Sequence, residues 1–442
     1  MGEINFLTTP ILLLVLYGFA YAIRQSVTNR ETAKYFIPAL SAKFLGAISL
    51  GLIYQFYYQG GDTIMSYHSG ANQIWSAFLD SPSLAVKLIL AGSDFENSTF
   101  QYATKIISYG DLPTYFVVRV AGIFSLFTFN SYYANALLFA SMSFSGSWAM
   151  YIAVYRLYPH LSRKLAVVVL FVPSIVFWGS GILKDTITFA AVGWFLYAFV
   201  NIFLLNQRKL VSVVILLLSI AVITHIKIYI ALCLFPSFII LLFIEHTSRI
   251  KNFIVKFLVA PFLFLISIIL SFQSISYLGN INKLYSIDQF AYRAQVNAEW
   301  LAYVSRQQGG SVYSLGDDDD FTNSGLLNKF IPAVWVTLFR PYIWEVKNPV
   351  MLLSALENLT MLFFCFFLIY KVGFFISLKR ALTEPIVFAF LCYSILFSFA
   401  IGVSTWNFGT LVRYKIPMLP FFLIALIVLE DIGKKLRYAN NN

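Results

Sequence analysis

Long apolar runs separated by short basic loops set the pattern of this chain. They lie at 6–23, 37–57, 134–155, 165–181, 187–206, 211–226, 229–246, 253–272, 350–371, 384–403 and 411–430. Each is close to the roughly 20 residues that a helix needs to cross a hydrocarbon core of about 30 Å. The pattern predicts an all-α polytopic membrane protein with about eleven transmembrane helices. The first run is followed by Arg24, Arg30 and Lys34 and preceded only by Glu3. A signal peptide has the opposite flanks, so the run is read as a retained span with its C-terminal end in the cytoplasm.

Threading the spans from that end gives a checkable result. The loops assigned to the cytoplasm hold Arg24, Arg30, Lys34, Arg156, Arg163, Lys164, Arg208, Lys209, Arg249, Lys251, Lys256, Lys371, Lys379, Arg380, Lys434, Lys435 and Arg437. That is 17 of the 31 basic residues. Lys and Arg concentrate in cytoplasmic loops of membrane proteins, so the expected topology is N-out, C-in. Lys43 is read as snorkelling to the same inner side. One segment, YFVVRVAGIFSLFTFN at 115–130, would invert every later loop if it were a span. It is short and contains Arg119, so it is read as an amphipathic helix lying in the outer interface. Two large external loops, 58–133 and 271–349, then interrupt a single transmembrane domain over 1–442, with interfacial helices within them.

Composition agrees. Apolar residues make up 59% of the 442 and charged residues only 12%, with a mean hydropathy of +0.76. Soluble domains run nearer 45–50% apolar and about 25% charged, which excludes a soluble enzyme and a disordered chain. The net charge of +11 is met mostly by cytoplasmic loops, so no nucleic-acid partner is expected. Cys233, Cys365 and Cys392 sit in apolar runs and behave as small hydrophobes. No Cys/His spacing suggests a metal. Asp317–Asp320 beside Gly309, Gly310 and Gly316 reads as a mobile solvated loop, with a divalent cation or substrate gating as the functional alternative.

Ionisable groups near a membrane boundary are costly and mark functional sites. Four clusters qualify, all on the predicted outer side. YYQGGDTIMSYH carries Asp62, Tyr67 and His68 after paired glycines. A carboxylate there suits proton abstraction from a hydroxyl, and a helix N-cap is the structural alternative. VPSIVFWGSGILKDTITF carries Lys184 and Asp185, either a self-neutralised pair or a phosphate-binding lysine with an orienting acid. VTLFRPYIWEVKNP carries Arg340, Trp344, Glu345 and Lys347, which also fits an interfacial aromatic belt. STWNFGTLVRYKIPMLP places Arg413 and Lys415 on the side that the positive-inside rule disfavours, which points to anion binding, with Arg presenting a planar fork of donors. Lys227 adds a further cation and His225 lies beside it. A donor with a phosphate among the headgroups and a tail in the lipid suits such a set.

The order of these segments resembles the GT-C superfamily of integral-membrane glycosyltransferases, in the bacterial branch with protein mannosyltransferases and the aminoarabinose lipid A transferase. GGDTIMSYH is similar to the first-loop motif whose acid deprotonates the acceptor, which here falls on Asp62. SLFTFNSYYANALL through YRLYPHLSRKLAVVVLFVPSIVFWGSGILKDTITF resembles the interfacial helix, span, basic loop and Pro-ended span that precede a second acid, here Asp185. The first loop has one acid where the family has a pair, and an extra span precedes it. The resemblance implies transfer of a sugar from a polyprenyl-phosphate donor to a glycan, lipid or protein acceptor among the membrane lipids. It would act at the periplasmic or exterior face of the inner (cytoplasmic) membrane. Asp62 would be the catalytic base, with Lys184, Asp185, Arg340, Arg413, Lys415, Tyr67 and His68 around substrate and lipid phosphate. No cofactor is required beyond a possible divalent cation. Competing readings are an O-antigen or exopolysaccharide polymerase or ligase using undecaprenyl-diphosphate glycans, a lipid-linked sugar transporter or flippase, and a non-catalytic scaffold.

Overall fold

A computed structural model describes residues 4–92, 94–248, 273, 287–307, 310–316 and 320–441. Among these residues the protein is helical throughout, with one isolated bridge between Val312 and Asn407. Seven helices are long and apolar enough to cross a membrane, and the bent pair Phe408–Tyr414 and Leu419–Leu436 would make an eighth. The architecture is that of a polytopic membrane protein.

The helices depart from the eleven expected runs at particular residues. The run at 165–181 is not one helix: α8 (Ser162–Leu170) ends and α9 (Pro173–Phe177) is a single short turn. Val172 between them is extended, at φ −63° and ψ 125°. A residue before proline is pushed out of the helical region by the proline ring. The runs at 211–226 and 229–246 fall in one helical stretch, α11 (Lys209–Ser248), broken by non-helical backbone at Lys227 (φ −144°, ψ 77°). The run at 253–272 and the acids Asp317–Asp319 lie outside the described residues. The chain divides into two compact units, 1–227 and 228–442.

In the first unit, α1 (Ile4–Val27) and α2 (Ala33–Leu52) are followed by α3 (Ser69–Asp80), α4 (Pro82–Leu90), α5 (Phe100–Ala103), α6 (Leu112–Thr128), α7 (Tyr132–Leu157) and α10 (Lys184–Phe199). The segment at 115–130 falls in helix α6, shorter than a span and buried through Tyr115, Val118, Gly122 and Ser125 against its neighbours, chiefly α3. The α7 and α10 helices touch backbone to backbone: a Cβ on Gly193 would lie 2.1 Å from the carbonyl oxygen of Gly146. Small residues at such a crossing are how helices approach closely where no hydrophobic force drives them together.

Lys43 corrects its sequence reading. It does not snorkel; it is buried, donating to Ser143 Oγ at 2.9 Å and to the carbonyls of Ile175 and Gly179 at 2.9 and 3.0 Å. Helix α9 stops after a single turn, which leaves the carbonyls of Ile175 and Gly179 at and beyond its end, and an isolated buried polar group is expensive. The ammonium satisfies them, so α2 holds the broken segment from inside.

The second unit contains α12 (Ile287–Gln307), α13 (Asn323–Phe339), α14 (Pro349–Val372), α15 (Phe374–Thr383), α16 (Pro385–Thr405), α17 (Phe408–Tyr414) and α18 (Leu419–Asn441). The expected span at 411–430 is instead bent by 66° between α17 and α18. Pro417 and Pro420 explain it, because each removes an N–H and clashes with the preceding turn. Helices α13 and α16 pack closely where Gly402 faces the Ala333 carbonyl and the Thr337 hydroxyl.

Candidate functional site

The turn that carries Asp62 is built by its neighbours. Helix α2 continues as a π-helical turn to Tyr57, and the chain then reverses through Gln59 at φ 52° and Gly61 at φ 94°. Positive φ of this kind favours glycine. A Cβ at Gly61 would also sit 2.7 Å from the Tyr54 ring. A second π-helical turn, Asp62–His68, follows at once, and such turns recur at functional sites. Gly61, not Asp62, is its N-cap. Asp62 stands in the first turn, where the helix dipole favours a carboxylate, and it is exposed.

The inner face of this turn is fixed. Thr63 is buried and accepts a hydrogen bond from the Tyr132 hydroxyl at 2.9 Å. Tyr67, one helical turn on, is buried too. His68 lies edge-on to Tyr132 at 5.3 Å between ring centroids. Its Nδ1 is buried without a hydrogen-bond partner. Burial pushes the imidazole down to about 4, so His68 is neutral at pH 7. Asp62, Tyr67 and His68 therefore share one turn, with the carboxylate outward and the two rings packed.

Lys184 and Asp185, adjacent in sequence, go to different partners. Lys184 Nζ is 3.5 Å from the exposed carboxylate of Asp111, the N-cap residue of α6. Asp185 is fully buried and ion-paired with Lys227, itself buried at the break in α11. That pairing gives the break its physical reason: the backbone leaves helical geometry where the ammonium reaches across to α10. His225 packs edge-on against Phe116 of α6 at 5.1 Å. Helix α6 is the shared element here, since it also packs against the Asp62–His68 turn.

The second unit gathers the other cations around α17. Arg340, the C-cap of α13, is bound by Glu345: its Nε lies 3.0 and 3.1 Å from the two carboxylate oxygens, and Nη2 adds a further bond. Its guanidinium sits 5.1 Å from the centroid of the Phe408 ring, at the start of α17. Lys415, at the other end of α17, is buried and donates to the Thr337 carbonyl at 3.2 Å and to Asn358 Oδ1. Arg413 lies 5.4 Å from the Tyr414 ring centroid. Arg340 and Lys415 are thus brought to opposite ends of one short helix. The fork of Arg340 already meets a carboxylate, whereas Lys415 meets neutral oxygens at the bend.

Sequence reasoning singled out these charges but not how they are held. Lys43 had a signal: an ionisable residue within an apolar run is a site hypothesis in itself. Asn358 and its neighbour Glu357 lie in an apolar run as well and were passed over. Asp320 has its carboxylate held low by hydrogen bonds from Thr322, as in a local turn. Among the described residues no three His, Cys, Asp or Glu side chains come together to hold a metal ion. Comparison with protein-family models, with curated proteins and with solved structures returns no match for this chain.

Proposed function

We propose that this protein is a membrane glycosyltransferase of the GT-C kind. It moves a sugar from a polyprenyl-phosphate donor to a cell-envelope acceptor on the outer face of the inner membrane. The observation that carries the reading is Asp62: an exposed carboxylate on a π-helical turn, directly after an apolar helix, with the turn pinned by the Tyr132–Thr63 hydrogen bond. Asp62 takes the proton from the acceptor hydroxyl as its oxygen attacks the anomeric carbon. The bond from that carbon to the phosphate oxygen breaks, and the lipid phosphate leaves with the electron pair. A base opposite the leaving group gives inversion. Lys184 is the cation best suited to meet the phosphate, because its partner Asp111 is exposed and only 3.5 Å pairs them, an arrangement of small net strength in water. Arg340, Arg413 and Lys415 belong to the second unit. Tyr67 and His68 shape the turn. The basic loops support N-out, C-in, with eleven spans. The 40-residue stretch of α11 is about 60 Å of helix at 1.5 Å per residue, enough for two crossings. In membranes supplied with labelled polyprenyl-phosphate sugars, Asp62→Asn is expected to fold and to lose transfer by about a hundred-fold or more.

A second reading, a lipid-linked sugar flippase, draws on the bent pair α17–α18 with Lys415 buried at its bend. Transporters use broken helices of this type around mid-membrane sites. Retention of substrate movement in Asp62→Asn, with loss in Lys415→Met, favours transport.

A further inference from the structure

The turn between α13 and α14 carries an aromatic surface that the chemistry above does not use. Trp344 is 81% exposed. Its indole stacks on Tyr342, with centroids 4.8 Å apart and planes 30° from parallel. Tyr342 is itself held: its hydroxyl accepts from Trp335 Nε1 at 2.6 Å, and its backbone N–H donates to Glu345 at 2.8 Å. Glu345 is held in turn by Arg340. One indole face is therefore backed by a fixed ring while the rest of the side chain is exposed, with the exposed Lys347 three residues on.

We propose that Trp344, backed by Tyr342, is a stacking platform for a pyranose ring of a glycan. An aromatic face is electron-rich and attracts the weakly positive C–H groups on one side of a pyranose. The hydroxyls around the sugar's rim need polar partners, and the exposed Lys347, whose Nζ donates to the Gly310 carbonyl at 3.3 Å, supplies one. A tryptophan that only anchors a protein in headgroups needs neither a stacked backing ring nor a braced turn. The apolar stripe Leu327, Ile331 and Trp335 along α13, exposed at intervals of four residues, serves lipid contact better. The choice of a glycan as occupant rests on the glycosyltransferase reading; the rigidity of the platform does not. The acceptor and the sugar of a lipid-linked donor present the same ring chemistry.

The test uses the full chain labelled with 5-fluorotryptophan in phospholipid nanodiscs. The Trp344 fluorine signal is the one missing from Trp344→Phe. Linear trisaccharides of glucose, mannose, galactose and N-acetylglucosamine are the probes. At least one is expected to shift the Trp344 signal saturably, and to bind ten-fold or more weakly to Trp344→Leu, which keeps an apolar side chain but no flat face. The platform is overturned if no trisaccharide moves that signal, or if Trp344→Leu binds as well as wild type. It is also overturned if doxyl-labelled phosphatidylcholine broadens the signal while the sugars leave it unmoved. Binding by wild type and Asp62→Asn alike, with no transfer by wild type, would sink the transferase reading and leave the platform standing. Transfer by wild type with Trp344 silent would do the reverse.

Discussion

Charged residues are scarce in this chain, and the buried Lys43, Asp185, Lys227 and Lys415 each hold a definite contact. Asp185 and Lys227 form a buried ion pair in which neither partner tolerates loss of the other, because removing one leaves an uncompensated charge. Asp185→Ala is expected to cost about 3–5 kcal/mol, seen as a lower unfolding temperature in detergent. The double change Asp185→Leu with Lys227→Met recovers most of that loss. If the single and double variants melt alike, the pair does not carry the stability assigned to it. His68 gives a pH dependence of known sign. Its ordinary value is about 6.5, and burial pushes it down to about 4 in the fold. The unfolded chain therefore binds the proton first. Stability from this residue is complete above pH 6.5 and declines as pH falls from there to 4. In His68→Phe that part of the acid sensitivity should vanish; an unchanged pH profile of melting would contradict it. At this scale the sequence identified which residues are costly, and so drew attention to Asp62, Lys184 and Asp185. It did not pair Asp185 with Lys227 rather than with its neighbour Lys184, since partners come from three-dimensional packing and not from adjacency.

Helices were legible where apolar runs are uninterrupted, as in α7, α14 and α16. Two runs were misread at a proline, Pro173 and Pro417, although Pro10, Pro38 and Pro236 sit inside helices. Pro173 and Pro417 stood in plain view, yet hydropathy averaged over a window does not register a missing N–H. The consequence is a broken α8–α9 segment and a bent α17–α18, each with a buried lysine beside it, Lys43 and Lys415. Breaks expose carbonyls, and an ammonium is a compact donor for them. The α7–α10 crossing makes the opposite point, because glycine there was invisible as a contact until the backbones were placed. Gly193→Leu adds four carbons where a Cβ alone has 2.1 Å to the Gly146 oxygen. Overpacking of this kind is expected to cost about 3 kcal/mol, read as loss of folded protein after solubilisation. Gly18→Leu, where a Cβ meets nothing within 4 Å, is the control. Equal yields for the two variants would show that the crossing is not as tight as described.

For the whole molecule, the membrane architecture, all-helical among the described residues, followed from composition and run length. The division at Lys227 did not, because a unit boundary within one apolar stretch leaves no mark in hydropathy. Each unit places ionisable groups at helix ends and breaks: Asp62, Lys184 and Asp185 in the first, Arg340, Arg413 and Lys415 in the second. The account rests most heavily on Asp62 as the base of a sugar transfer. Its most direct test compares wild type and Asp62→Asn at equal folded amounts in the same membranes, following label from polyprenyl-phosphate sugars into acceptor. The account predicts transfer by wild type and a loss of at least a hundred-fold in Asp62→Asn, the lower bound typical of general base catalysis. Transfer by Asp62→Asn within a few-fold of wild type would contradict it.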